Sequence, residues 1–136
     1  MNDVILMVED NADDAQLVER QLQHSALKRE LRVVPDGREA IDYLSRASRH
    51  QSLNSFRFPC LLIIDLKVPS VDGFALIEWV RQNPQLKRIP IIVYSGSASP
   101  EDIERAYAVG ANAYFAKLTG PGQYNLLFAA IQEFCD

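Results

Sequence analysis

Five short apolar runs alternate with five segments of helical period along this chain. The alternation predicts an α/β domain: a doubly wound, five-stranded parallel sheet with helices on both faces and right-handed crossovers. Two further observations agree with it. The third run, Leu61-Leu62-Ile63-Ile64, carries no polar break, as a strand buried on both faces requires. Residues able to do chemistry stand at the ends of the runs, where open α/β sheets form their functional crevice.

The first strand is Val4-Ile5-Leu6-Met7-Val8, followed by a helix from about Asp13 to Ser25 whose partly apolar stripe is Leu17, Val18, Gln21 and Leu22. A weaker strand, Leu31 to Val34, leads through Pro35-Asp36-Gly37 into a helix carrying Ala40, Ile41 and Leu44. The third strand is Leu61 to Ile64, and its helix starts near Gly73 with Phe74, Leu76, Ile77 and Val80 on one face. Asn83-Pro84 stops that helix, because a residue before proline is pushed out of the helical region. Trp79, within it, reads as core or packing surface. The fourth strand is Ile91-Ile92-Val93-Tyr94. Ser99-Pro100-Glu101-Asp102 opens the next helix with a serine cap, a proline at the first position and acids in the first turn, and Gly110 ends it. Ala113 to Ala116 is the fifth strand, and the last helix, from about Gln123, carries Leu126, Leu127, Ala130, Ile131 and Phe134. Arg46 to Pro59 is the one long irregular stretch and reads as a solvated loop.

The 136 residues suit a single domain with a real core, and 48% of them are apolar, enough to fold. No tract reads as an interdomain linker, and the sequence stops at Asp136 directly after the fifth helix, so a single domain at 1–136 without an output domain is expected. A net charge of −4 disfavours nonspecific nucleic-acid binding, which needs a basic face. Neither a signal peptide nor an apolar stretch of about 20 residues is visible, so a cytoplasmic protein without membrane contact is expected. Cys60 and Cys135 stand in apolar surroundings without a CxxC pair, and read as buried free thiols in a reducing compartment rather than as a disulfide or metal site. His24 and His50 lack carboxylate or cysteine partners at ligand spacing and read as surface residues.

Four strand ends carry a polar group: Glu9 and Asp10 after the first, Asp65 after the third, Ser95 after the fourth and Lys117 after the fifth. Taken singly, each has a plain explanation. Glu9 and Asp10 could cap the first helix, Asp65 and Ser95 could form turns, and Lys117 could be a surface charge. Asp13 and Asp14 read as first-turn partners of the helix dipole. Three carboxylates brought to one edge would need a cation, since like charges about 4 Å apart repel by roughly 4 kcal/mol at an effective dielectric near 20.

In this order the set resembles the response-regulator receiver domain of two-component signalling. The likeness spans nearly the whole chain. It rests on Val8-Glu9-Asp10-Asn11, on Ile64-Asp65-Leu66-Lys67-Val68-Pro69 through Gly73, on Tyr94-Ser95-Gly96 and on Tyr114-Phe115-Ala116-Lys117. The long loop before the third strand, Ala111-Asn112-Ala113-Tyr114 and Ile131-Gln132-Glu133-Phe134 look more like stand-alone regulators paired with phytochrome-type histidine kinases.

The resemblance implies a flavodoxin-like sheet in the order 2-1-3-4-5. It implies that Asp65 accepts a phosphoryl group from a kinase phosphohistidine, and that Glu9, Asp10, Asp65 and the Lys67 backbone carbonyl hold Mg²⁺. Magnesium suits such a site, because it prefers oxygen ligands and keeps several waters. Lys117 would pair with Asp65 at rest and bind a phosphoryl oxygen afterwards, and Ser95 would bond another, with Gly96 leaving space beside it. Ser95 and Tyr114 would form the switch, remodelling the surface of the fourth helix, fifth strand and fifth helix, where Tyr107 and Val109 could join. The implied partners are a sensor histidine kinase or phosphotransfer protein and an unknown downstream protein. A homodimer through the last helical face, with Phe134 and Cys135, stays open.

Three positions depart from the family pattern. Leu118 follows Lys117 where the family usually has proline, so a cis bond there would cost several kcal/mol and the loop Leu118-Thr119-Gly120-Pro121-Gly122 is expected to be trans, longer and more mobile. Val68 replaces a common methionine. Lys67, two residues past Asp65, is expected to tune the phosphoryl lifetime. Three other functions compete. A haloacid-dehalogenase-type phosphohydrolase needs an acid where Lys67 stands. A flavin carrier would not place Asn11-Ala12-Asp13-Asp14 against a phosphate. The third, a pseudo-receiver acting only as a protein-interaction module, keeps the missing proline in its favour.

Overall fold

Alternate residues of the central strands feed two different apolar layers, and this sets the architecture. The computed structural model describes residues 4–49, 56–117 and 122–135. Strands β1 (Val4–Val8), β2 (Glu30–Val34), β3 (Leu61–Ile64), β4 (Ile91–Ser95) and β5 (Ala113–Ala116) form one sheet in the order β2-β1-β3-β4-β5, parallel throughout. Helices α1 (Ala12–Gln23), α2 (Gly37–Arg49), α3 (Gly73–Gln82), α4 (Pro100–Val109) and α5 (Asn125–Cys135) connect and cover it. Leu6, Val8, Leu62, Ile64 and Val93 pack with residues of α2, α3 and α4 on one side. Ile5, Met7, Leu61, Ile63, Ile92 and Tyr94 pack with α1 and α5 on the other. The chain winds outward from β1 to β2, then returns past β1 to β3. The carboxyl ends of β1 and β3 are therefore neighbours at the switch point, with Val8 opposite Ile64.

Local chemistry bounds the helices: Ser99, Asn83 and Gly110 act as the sequence predicts, while Asn11, rather than Glu9 or Asp10, caps α1. Asn11, Asp72 and Ser99 cap α1, α3 and α4 by accepting the backbone N–H of Asp14, Ala75 and Asp102. Asn83 closes α3 before Pro84, and Gly110 closes α4 at φ 128°, a conformation that side chains resist. Gly73 starts α3 so close to the preceding loop that a Cβ would stand 2.6 Å from the Leu66 Cα. Trp79 packs half-buried against the core.

Several expectations change. In α1 the buried stripe is Ala15, Val18 and Leu22, while Leu17 is 42% exposed, because the helix turns its i, i+3, i+7 row to the sheet. The irregular stretch begins later than Arg46, since α2 runs to Arg49 and buries Ala47. Arg46 and Arg49 thus occupy the last turn, where cations meet the carbonyl end of the helix dipole. Helix α5 starts at Asn125, anchored by Leu127 and Ile131, while Leu126 is 71% exposed. Exposed His24 bonds the Arg20 carbonyl, whereas His50 and the Leu118–Pro121 part of the loop lie outside the described residues.

The cysteines require a correction. Cys60 and Cys135 form a disulfide with their Cα atoms 5.4 Å apart. They are 75 residues apart in sequence, so spacing carried no hint of the pair. The sheet puts the residue before β3 beneath the last turn of α5, and only the tertiary structure makes them neighbours.

Arg81 ties the amino edge together. Its guanidinium donates to the carbonyls of Gly110, Lys87 and Ile89 and to Asn112 Oδ1, at 2.7–3.0 Å. Asn112 Oδ1 also accepts the Ile91 N–H, so one fork joins α3, the turn after α4 and the start of β4. Burial pulls the Arg81 guanidinium below its ordinary pKa, which its fixed acceptors tolerate because arginine stays charged. Arg81→Ala should lower unfolding stability by about 2–4 kcal/mol in urea titration, and Arg81→Lys should recover less than half, since an ammonium cannot span the same fork.

Candidate functional site

Backbone bonds beyond the strand ends carry the acids and the lysine to one place. The Glu9 N–H donates to the Val34 carbonyl at 3.0 Å, that of Asp65 to Val8 at 3.0 Å, and that of Lys117 to Ser95 at 2.7 Å. Each functional residue is thereby the next rung of a parallel ladder, fixed before its side chain makes any contact. The edge opens into a cavity of about 490 Å³ lined by Glu9, Asp10, Asp14, Asp65, Ser95 and Lys117 among others.

Lys117 is the hub. Its Nζ lies 2.9 Å from Asp65 Oδ2, 2.9 Å from Asp14 Oδ2 and 2.6 Å from Glu9 Oε1. It also stands 5.7 Å from the centroid of the Tyr94 ring, within cation–π range. Burial by itself would depress the ammonium, but the bonds to Glu9, Asp14 and Asp65 prevail and raise its pKa above the ordinary lysine range. Glu9 is 2% exposed, and burial pushes its carboxyl up to about 7, reinforced by the Asp65 charge and opposed by Lys117 and the Asn11 N–H. The Glu9 Oε1 contact is short but poorly aligned, which leaves that buried oxygen without a hydrogen-bond donor among the described residues. Its other oxygen accepts the Asn11 N–H at 3.1 Å.

The acids are free to bind a cation because they do not cap the helix; Asn11 does. Glu9, Asp10 and Asp65 each offer a carboxylate oxygen, all within 4.8 Å of one another. This hard-oxygen set fits a divalent ion such as Mg²⁺, which takes oxygens at about 2.0–2.1 Å and completes its shell with water. Asp10 is exposed and Asp65 is 8% exposed, so an arriving ion can reach both. Asp65 Oδ1 accepts the Lys67 N–H at 3.3 Å, and the Lys67 side chain projects from an exposed position beside it.

Ser95 is fully buried, and its Oγ accepts the Ser97 N–H at 3.3 Å. A methyl group at Gly96 would meet no atom within 4 Å, so the space expected there is present. The Tyr114 hydroxyl donates to the Ser97 carbonyl at 2.8 Å, and the Ser97 hydroxyl donates to Asp102 at 2.6 Å in the first turn of α4. Ser95, the loop after β4, Tyr114 and α4 are therefore one bonded chain.

All five expected residues, Glu9, Asp10, Asp65, Ser95 and Lys117, line the cavity. Sequence reasoning missed Asp14, Tyr94 and Ser97. Asp13 is exposed, as a dipole partner should be, but Asp14 turns back to Lys117.

Comparison with known proteins agrees with this geometry. Residues 5–131 match the response regulator receiver domain family. Response regulator Rcp1 of Synechocystis sp. is 37% identical over 114 residues, covering 84% of this chain and 76% of its own. Among solved structures, the phosphorylated cyanobacterial phytochrome response regulator RcpA aligns with a TM-score of 0.82 at 32% identity, over 98% of this chain and 94% of its own. The Mn²⁺-bound form of Rcp1 aligns with a TM-score of 0.81 at 31% identity, over 97% and 93%. No described helix is long and apolar enough to cross a membrane. A parallel sheet in the order β2-β1-β3-β4-β5, acids and a lysine converging at its carboxyl edge, and these relatives lead to one conclusion: the chain belongs to the response-regulator receiver family of two-component signalling.

Proposed function

We propose that this chain is a stand-alone, cytoplasmic response regulator that accepts a phosphoryl group on Asp65 from the phosphohistidine of a sensor kinase or phosphotransfer protein, and passes the signal to another protein. One observation carries the reading: a single ammonium, Lys117, bonds Asp65 at 2.9 Å beside a three-carboxylate cluster.

In the transfer, an ionised Asp65 oxygen attacks phosphorus, the new P–O bond forms, and the P–N bond breaks with its electron pair going to the departing imidazole. Glu9, Asp10, Asp65 and the Lys67 backbone carbonyl would hold Mg²⁺, which when bound neutralises charge on the phosphoryl oxygens. The Lys67 N–H holds Asp65 Oδ1, so the carboxylate is oriented before the donor arrives. Lys117 sits where it can move from the carboxylate to a phosphoryl oxygen within the same pocket, keeping Glu9 and Asp14 as partners. Asp14 thus supplies an anchor for the lysine in a chain whose next residue is leucine rather than proline.

The switch follows from the bonded chain. A phosphoryl group brings about −1.5 to −2 charges and strong acceptor oxygens. Ser95 turning its hydroxyl to that group would release the Ser97 N–H, and the loop would then pull on the Tyr114 hydroxyl and on Asp102 in α4. Tyr107 of α4 is half-exposed and would join the α4-β5-α5 surface that this motion presents to a partner.

Incubation with Mg²⁺ and acetyl phosphate, or with beryllofluoride, should load the wild type once. Asp65→Asn should abolish loading and Asp10→Asn should weaken Mg²⁺ binding at least about tenfold by calorimetry. An unmodified wild type would instead favour a protein-interaction module that never carries phosphate. Lys67 is placed to shield the acyl phosphate from water and to pair with its charge. Lys67→Asn should speed hydrolysis about fivefold, as loss of an interaction worth about 1 kcal/mol would do, and equal rates would remove Lys67 from the mechanism. Tyr114→Phe should leave loading intact but shift the resting equilibrium toward the beryllofluoride-bound state, again about fivefold for one lost hydrogen bond, read from amide chemical shifts in α4 and β5. Unchanged shifts in both states would count against Tyr114 as the switch.

A further inference from the structure

At the amino edge of the sheet, opposite the acidic pocket, a second reactive pair stands apart from the phosphoryl chemistry. We propose that Cys60 and Cys135 are a reversible thiol–disulfide modification site, served by small thiols and disulfides of the glutathione class, that fastens the last turn of α5 to the foot of β3. The proposal rests on the cytoplasmic part of the functional reading, because a disulfide in a reducing compartment is as a rule transient and redox-sensing rather than structural.

The geometry supports a bond that can form and break in place. The Cα atoms are 5.4 Å apart, inside the range a disulfide needs. Cys60 is held by its own backbone, whose N–H donates to the Val4 carbonyl at 2.8 Å. Cys135 ends α5, which Leu127 and Ile131 anchor with Phe128, Ala130 and Phe134 packed beside them, while Leu126 is exposed and Arg29 reaches the Cys135 carbonyl at 3.4 Å. One partner is fixed by the sheet and the other stands in the last turn of a helix, where helices fray most readily. Both cysteines are half-buried, neither sealed in the core nor fully exposed.

Cys60 lines an open cleft of about 300 Å³ with Pro59, Pro84, Arg88 and Ile89. Arg88 is the cation in that lining, suited to a carboxylate of glutathione. In oxidation, the Cys60 thiolate attacks a glutathione disulfide, forming a mixed disulfide and releasing one glutathione thiolate. Cys135 then attacks the Cys60 sulfur, closes the protein disulfide and expels the second glutathione. The two protein thiol protons pass through solvent to the two glutathione thiolates, and the two electrons given up by the protein sulfurs reduce the reagent disulfide to two thiols. Reduction reverses these steps, entering through the cleft at Cys60.

The test titrates the full chain against mixtures of reduced and oxidised glutathione, counts free thiols by maleimide labelling and mass, and follows hydrogen exchange in α5. The labelled thiols should go from two to none across the titration. Reduction should speed exchange of the C-terminal amides of α5 about tenfold while β1 and β3 stay protected, and should lower Tm by about 10 °C. Cys135→Ser should trap one glutathione on Cys60, and adding Arg88→Ala should slow that trapping. A bond that resists reduced glutathione throughout, one that never forms in oxidised glutathione, or α5 exchange identical in the two forms would each overturn the proposal. No readout uses Asp65, so beryllofluoride loading reports the phosphoryl function separately, and either idea can fail without the other.

Discussion

One ammonium holds the carboxyl edge of this sheet together. Lys117 faces Glu9, Asp14 and Asp65 at contact distances, with Asp10 just beyond. Without a cation, carboxylates this close would repel by kilocalories each, and the largest share of that cost would fall on Glu9, buried and already raised to about 7. The sheet order explains why a lysine is used. β5 is separated from β3 by β4, so the residue at its end must reach across a strand, over Tyr94, to meet Asp65. A long, flexible stem with a point charge can do this and can later change partners, whereas an arginine fork would be committed to one geometry.

The same edge connects the acids to the outer surface. Ser95 touches Ser97, and Ser97 is bonded both to Tyr114 on β5 and to Asp102 at the start of α4. A small displacement of one hydroxyl therefore acts on two elements at once, through hydrogen bonds rather than through compression of the core. Tightly packed cores pass from one arrangement to another instead of deforming smoothly. A short polar chain lying over two packed layers is a suitable trigger for such a transition.

Helix α5 lies between two edges with different chemistry. The proposed phosphoryl signal reaches its neighbours from the carboxyl edge, and the cysteine pair grips its last turn at the amino edge. Arg81 stiffens that amino edge independently, by gathering the carbonyls after α4 and before β4. The helix is thus open to influence from both edges, which suits a surface meant to change state.

The sequence by itself determined the strands, the bounds of α4, the stop of α3 and the identity of the residues at the strand ends. Short apolar runs alternating with segments of helical period have one economical use in a chain of this size, and Ser99-Pro100 or Gly110 act through their own backbone preferences whatever surrounds them. Asp65, Ser95 and Lys117 were legible because a parallel ladder places the residue after each strand at a common edge. The stripe of α1, the true end of α2 and the exposure of Leu126 were not, because helix rotation and length are settled by which neighbour a face finds. Asp14 was hidden for a related reason: a first-turn acid serves the helix dipole equally well whether it points to water or to Lys117. The Cys60–Cys135 pair belongs wholly to the tertiary structure. Nothing local couples two residues 75 apart, and only the winding of the chain through the sheet brings their backbones within reach of one bond.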